Sequence, residues 1–185
     1  MNQSKISVRY AKAVFETAKE QGSLERLYAD FNLIGKSISE NKEFYRVITS
    51  PVIKSSDKVN LLSTVYKAQV APLTMRFLEM LVENSREAYI SDIARNFAVF
   101  YRNAKHIKEV VLTTPTGIDT KITDKVSDEV AIAYKSRVEI KEELKPEMIG
   151  GVIVRIDNLQ LDMSVATQLR EIKESLKSEA FKKKI

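Results

Sequence analysis

Residues 148–169, MIGGVIVRIDNLQLDMSVATQL, constrain the fold more than any other stretch of this chain. Two adjacent glycines, Gly150 and Gly151, open an apolar, β-branched run at 152–156, the mark of a buried strand. Asp157 and Asn158 supply a turn, and 159–161 reads as a second short strand. Asp162 or Ser164 then caps a helix whose apolar positions are Val165, Leu169, Ile172 and Leu176. The result is a hairpin followed by a helix, with no catalytic group in it. A dinucleotide-binding glycine motif enters a helix, whereas this pair enters a strand. Gly150 and Gly151 are therefore read as a close approach of neighbouring backbone, or a bulge, that only glycine allows.

The first 105 residues carry a different pattern, helical almost throughout. A first helix, capped by Ser4 or Ser7, places Tyr10, Ala11, Val14 and Ala18 on one face. Gly22 suits the left-handed position that ends it, and Ser23 suits the cap of the next. The second helix has Leu24, Leu27, Tyr28, Phe31, Ile34 and Ile38 at spacings of three and four. A short helical turn at 44–48 stops before Pro51. Ser55, Ser56 or Asp57 caps a fourth segment with Leu61, Leu62, Val65 and Tyr66. Pro72 fits the first turn of a fifth helix, bearing Leu73, Phe77, Met80 and Leu81, which Asn84 and Ser85 break. A sixth carries Ile90, Ile93, Phe97, Phe100, Tyr101 and Ala104. Six amphipathic helices joined by short polar turns predict one bundle.

After His106 the period changes. Val110, Val111 and Leu112, bounded by Pro115 and Gly117, read as a strand. Ile122, Val126, Val130, Ala133 and Tyr134 lie at helical spacing, and Val138 and Ile140 alternate with charged residues as in a half-exposed strand. The expected fold is α+β in two domains: a six-helix bundle over residues 1–105 and a small α+β domain over 106–185, joined near 105–108. The terminal Lys182, Lys183 and Lys184 read as a frayed tail.

Composition narrows the function. The absence of cysteine rules out disulfide scaffolds and thiolate metal sites. With one histidine, His106, set among lysines at the junction, neither a zinc site nor a histidine base is expected. No GxxxxGK[ST] loop is present, so phosphate-loop ATP binding is not expected. Asp162 and Ser164 lack a histidine to complete a nucleophilic triad and read as helix caps. Arg155 and Asp157 straddle the turn and are placed to pair. No cofactor, metal or catalytic residue is assigned. No apolar run is long enough to span a bilayer, and the N-terminus lacks a signal-peptide core, so a soluble, cytoplasmic protein is expected, reaching a membrane only through a partner. The net charge of +5 permits nucleic-acid binding without demanding it, because the basic residues are interspersed with acids.

Tyr10, Ala11, Val14, Ala18, Phe77, Leu78 and Leu81 admit two readings. They are bundle core, or they line a groove that receives an amphipathic helix. Val8, Ala13 and Phe15 lie off the main face of the first helix, and Ala11, Ala13 and Ala18 would let another helix approach closely.

Three motifs, in order along the chain, resemble one family. Arg9-Tyr10-Ala11-Lys12-Ala13-Val14-Phe15 is similar to an R-Y-A-x-A-L-F opening. Phe77-Leu78, Leu81 and Asn84-Ser85-Arg86 are similar to F-L-x-x-L-x-x-N-x-R. Glu147-Met148-Ile149-Gly150-Gly151, Arg155-Ile156-Asp157-Asn158 and Asp162-Met163-Ser164-Val165 resemble a C-terminal signature ending in a Leu-rich helix. Met148 stands for the usual Leu, and Asn158 alters the usual Gly-Asp turn. The family is the delta subunit of F-type ATP synthases, the bacterial counterpart of the oligomycin-sensitivity-conferral protein. The resemblance implies a non-catalytic stator subunit, peripheral on the cytoplasmic side of the inner membrane. Its N-terminal bundle would bind alpha-subunit N-terminal helices through Tyr10, Ala11, Val14, Ala18, Phe77, Leu78 and Leu81. Its C-terminal domain, marked by Gly150, Gly151, Asp162, Ser164, Val165 and Leu169, would bind the C-terminal end of the b subunits. The alternative from another class is a basic helical RNA-binding protein, against which stands the lack of an RNP-like strand pair or a KH loop.

Overall fold

A computed structural model describes residues 5–118, 120–157 and 159–182. The chain divides into two compact units, Met1–Ala104 and Lys105–Ile185, and the architecture is α+β.

The first unit contains α1 (Lys5–Glu20), α2 (Leu24–Glu40), α3 (Lys42–Thr49), α4 (Ser55–Tyr66), α5 (Pro72–Glu83), a 3-10 turn (Glu87–Tyr89) and α6 (Ile90–Lys105). Its interior holds Leu27, Phe31, Ile34, Leu62, Tyr66, Leu78, Leu81, Ile93 and Phe97, all essentially inaccessible to water. An aromatic chain links four helices. Tyr10 of α1 meets Phe77 of α5 edge-on at 6.4 Å, Phe77 meets Phe31 of α2 at 5.8 Å, and Phe31 meets Phe97 of α6 at 4.7 Å. Such pairs add about 0.5–1.5 kcal/mol each beyond their area burial.

Two helices end in the same way. Gly22, with φ +65°, follows α1; its N–H donates to the Lys19 carbonyl and that of Ser23 to the Ala18 carbonyl. Ser85, with φ +53°, follows α5; its N–H donates to the Val82 carbonyl and that of Arg86 to the Leu81 carbonyl. Both are Schellman closures that satisfy otherwise orphaned carbonyls.

Several expected caps are corrected. Ser4 lies outside the described residues. Ser7 is no cap: the helix is already formed at Lys5, and Ser7 is buried, its hydroxyl accepting from Asn96 Nδ2 at 3.1 Å. Ser23 occupies the cap position of α2, but its hydroxyl turns back to the Ala18 carbonyl. Ser55, Ser56 and Asp57 lie within the first turn of α4, because Lys54 takes the extended cap position. Asn41 does form a side-chain cap on α3, accepting from the Phe44 N–H at 3.0 Å.

The second unit contains β1 (Ile107–Thr114), α7 (Thr120–Tyr134), β2 (Arg137–Leu144), β3 (Gly151–Ile156), β4 (Leu159–Ser164) and α8 (Val165–Lys182). The sheet order is β2-β1-β3-β4, with β1 and β2 parallel across the α7 crossover and the other pairs antiparallel. Val110, Leu112 and Val154 pack with Val130 of α7, flanked by Val126, Val138, Ile140 and Ile156. β4 runs to Ser164, beyond the 159–161 expected, because pairing with β3 continues through Gly151.

Candidate partner-binding surfaces

The residues expected to form the N-terminal groove are placed mainly in the interior. Ala11, Val14, Ala18, Phe77, Leu78 and Leu81 are buried within the chain itself, and only Tyr10 is half-exposed. Phe15, off the main face of α1, is occupied by Phe97 and Phe100, each at 5.9 Å. An open cleft of about 440 Å³ lies one helical face away, lined by Ile6, Arg9, Tyr10 and Ala13 of α1 and by Arg86 after α5. Tyr10 belongs to both sets, because its ring rests against Phe77 while it borders the cleft. Sequence periodicity did not single out Ile6, Arg9 or Arg86 as lining residues. A signal was available: Arg9 and Arg86 are the arginines of two motifs 77 positions apart in the sequence.

In the second unit, Gly151 has φ +83°, and a Cβ there would stand 2.4 Å from the Met163 carbonyl oxygen and 2.8 Å from Ser164 Cα. A Cβ on Gly150 would meet only Val165 Cγ2, at 3.2 Å. Close backbone approach at the mouth of the β3–β4 pair thus accounts for Gly151. Ser164 caps α8, its hydroxyl accepting from the Thr167 N–H at 3.3 Å. Asp162 supports the cap by accepting from the Ser164 N–H at 2.9 Å and the Thr167 hydroxyl at 3.0 Å. Hydrogen bonding from Ser164, with help from Thr167 and Arg170, holds the Asp162 carboxyl below its ordinary pKa of 3.8.

Val165 is half-buried against Gly150, but the rest of the α8 stripe is not covered: Leu169, Ile172 and Leu176 are each more than half exposed. Leu159, Leu161 and Met163 pair across from Ile156, Val154 and Val152 and are exposed too. They border an apolar cleft of about 540 Å³ that continues to Val126, Val130 and Tyr134 of α7. Among the described residues, β4 and α8 therefore each carry an uncovered apolar strip.

The expected Arg155–Asp157 pair is not formed. Asp157 has φ +50° and its carboxylate takes Lys108 at 2.5 Å, while Arg155 faces Glu143 across 3.9 Å. His106 is an exposed turn residue with φ +52°, its carbonyl accepting from the Arg137 N–H. Among the described residues, no group of three or more His, Asp or Glu side chains is placed to hold a metal ion, and no helix is long and apolar enough to cross a membrane.

A family model described as ATP synthase delta (OSCP) subunit matches residues 6–176, spanning both units. The chain belongs to this family. The delta subunit of Parabacteroides distasonis ATP synthase is 32% identical over 171 residues, covering 92% of this chain and 95% of that one. The delta subunit of Christiangramia forsetii is 28% identical over 185 residues and covers both chains in full. A chain in the cryo-EM structure of the Toxoplasma gondii mitochondrial ATP synthase hexamer has the same fold, with a TM-score of 0.77 at 24% identity, over 94% of this chain and 98% of that one. The delta-family match covers the Arg9–Phe15 and Phe77–Arg86 motifs and the Gly150, Gly151 signature alike. It lends no support to the RNA-binding alternative.

Proposed function

We propose that this chain is a peripheral-stalk subunit of an F-type ATP synthase, a tether that holds the catalytic head still against the torque of the rotor. The observation that carries this reading is the family match across both units, 6–176, together with relatives of the same length that are ATP synthase delta subunits. In this reading residues 1–105 form a six-helix bundle that grips alpha-subunit N-terminal helices. Residues 106–185 form the α+β domain that takes the C-terminal end of the b subunits. The tether does no chemistry of its own. Its membrane association, on the cytoplasmic side of the inner membrane, runs through the complex.

A holder of this kind needs apolar contact and slow dissociation, not a reactive group. The surfaces support that requirement. The uncovered strips Leu159, Leu161, Met163 and Leu169, Ile172, Leu176 are apolar area that a partner would remove from water, at about 25 cal/mol per Å². The buried polar groups support it as well: Asp30 with Thr74, Lys58 with Glu87 and Ser7 with Asn96 each join one stretch of the helical unit to another. Within the N-terminal unit, the cleft at Tyr10 and Ala13 suits helix docking better than the buried Ala11, Val14 and Leu78. Those three hold the unit together and position the cleft.

The test is affinity purification of the tagged full chain from gently solubilised membranes of its own organism at moderate salt. Recovery of the alpha and b subunits is expected. Recovery of the chain alone, or with RNA, would contradict the reading.

A further inference from the structure

Arg9 and Arg86 come from distant parts of the chain and border one cleft with Ile6, Tyr10 and Ala13 between them. Among the described residues neither guanidinium has a carboxylate or carbonyl partner. Elsewhere this chain does pair arginines: Arg26 with Asp30 and the Gln69 carbonyl, Arg95 with Asp92, Arg155 with Glu143. The backbone at Arg86 is held firmly on both sides. Its N–H donates to the Leu81 carbonyl at 2.7 Å, and its own carbonyl accepts from the Tyr89 N–H at 3.0 Å. Arg9 projects from the second turn of α1, and neighbouring Tyr10 is fixed against Phe77. The cleft is therefore an apolar floor on a rigid base with an arginine contributed by each of two elements.

We infer that Arg9 and Arg86 are a carboxylate clamp, and that the occupant of the cleft is an amphipathic partner helix with acidic residues flanking its apolar anchors. This deepens the proposed docking of an alpha-subunit N-terminal helix and rests on that reading. The charge dictates the class of occupant. Two positive groups beside an apolar floor repel a basic segment and leave a neutral one without partners for the guanidiniums. An acidic helix gives each a forked, charge-assisted hydrogen bond. The apolar floor supplies the contact area, and the clamp supplies register and choice of partner.

The experiment uses the full chain and a synthetic peptide of about 25 residues, long enough to form a helix, from the alpha N-terminus of the same organism. Binding is read by fluorescence anisotropy at two salt concentrations. Arg9→Gln and Arg86→Gln are each expected to weaken binding roughly fivefold, the scale of a partly exposed charge pair. Arg9→Lys, which keeps charge but loses the fork, is expected to fall between. Arg46→Gln, on the exposed face of α3, controls for general electrostatic attraction and is expected to change nothing. A peptide with its Asp and Glu changed to Asn and Gln is expected to bind weakly and to ignore the arginine changes. Circular dichroism checks that each variant folds. Equal binding by wild type and the double Gln variant would overturn the clamp and leave the docking reading standing. Failure of the peptide to bind wild type at all would overturn both.

Discussion

Thr74 and Asp30 lie 44 residues apart, and the Thr74 hydroxyl donates to Asp30 Oδ2 at 2.7 Å with both side chains buried. The same oxygen accepts from the Ala71 N–H at 2.7 Å, while Arg26 approaches Oδ1 at 3.3 Å. Ala71 and Thr74 are the cap and third residue of α5. A carboxylate of α2 thus does for α5 what no side chain within α5 does: it satisfies orphan N-terminal groups and meets the positive end of the helix dipole. Asp30→Ala is expected to cost about 2–4 kcal/mol, because the buried Thr74 hydroxyl and the half-buried Ala71 N–H lose their acceptor. Asp30→Asn keeps one acceptor and is expected to cost less. Urea denaturation of the full chain measures both.

Lys58 of α4 and Glu87 of the 3-10 turn form a buried ion pair, and among the described residues Glu87 Oε2 has no hydrogen-bond partner. Truncating one partner strands the other charge out of water. Lys58→Met is expected to destabilise by about 3–5 kcal/mol. The double change Lys58→Met with Glu87→Leu removes both charges and is expected to recover most of that loss. A double-mutant cycle of melting curves checks the sign of the coupling.

Gly151→Ala is expected to destabilise the second unit by about 2–4 kcal/mol, since φ +83° and a 2.4 Å approach to backbone leave no place for the methyl group. Gly150→Ala meets only a side-chain methyl of Val165 and is expected to stay within about 1 kcal/mol of wild type. Hydrogen exchange at β3 and β4 reports the difference locally.

The contrast between these glycines shows where sequence reading stops. Periodicity placed α2, α5 and α6 well, because Leu27, Phe31 and Ile34, or Ile90, Ile93 and Phe97, repeat at spacings only a helix satisfies. The hairpin was legible because the turn residues and the β-branched run agree. Long-range polar pairs were not: nothing local links Asp30 to α5, or Lys58 to Glu87. The cap at Ser7 failed for a related reason, since its hydroxyl serves Asn96, 89 residues away. Of the two readings of Ala11, Val14, Ala18, Phe77, Leu78 and Leu81, core or groove, the chain itself buries all six. Small residues such as Ala11 signal close packing, and sequence does not say whether the neighbour is in the same chain. Likewise, the apolar spacing of Leu169, Ile172 and Leu176 correctly gave a helix but not whether the chain covers it.

Stability should respond to pH at two groups. A carboxyl whose folded pKa is depressed, as at Asp162, stabilises above its unfolded value, and that contribution is lost as pH falls through the folded value. Asp162→Asn is therefore expected to flatten the acid limb of the stability curve as pH falls through and below the ordinary carboxylate value. Tyr66 behaves in the opposite sense. Burial raises its pKa above 10.0 despite the opposing hydrogen bond to Ser37, so its contribution is full below that value and lost as pH rises through the folded one. Tyr66→Phe is expected to weaken the alkaline loss. Urea midpoints across pH measure both.

The central claim, a tether anchored on alpha-subunit N-termini, is tested most directly by sedimentation of the full chain with the purified catalytic head of its own ATP synthase. Intact heads are expected to bind the chain, and heads lacking the alpha N-terminal segments to lose it. The folded Ala13→Glu variant, charged within the cleft, is expected to bind poorly to either. Equal binding to intact and truncated heads, or no binding to intact heads, would contradict the account.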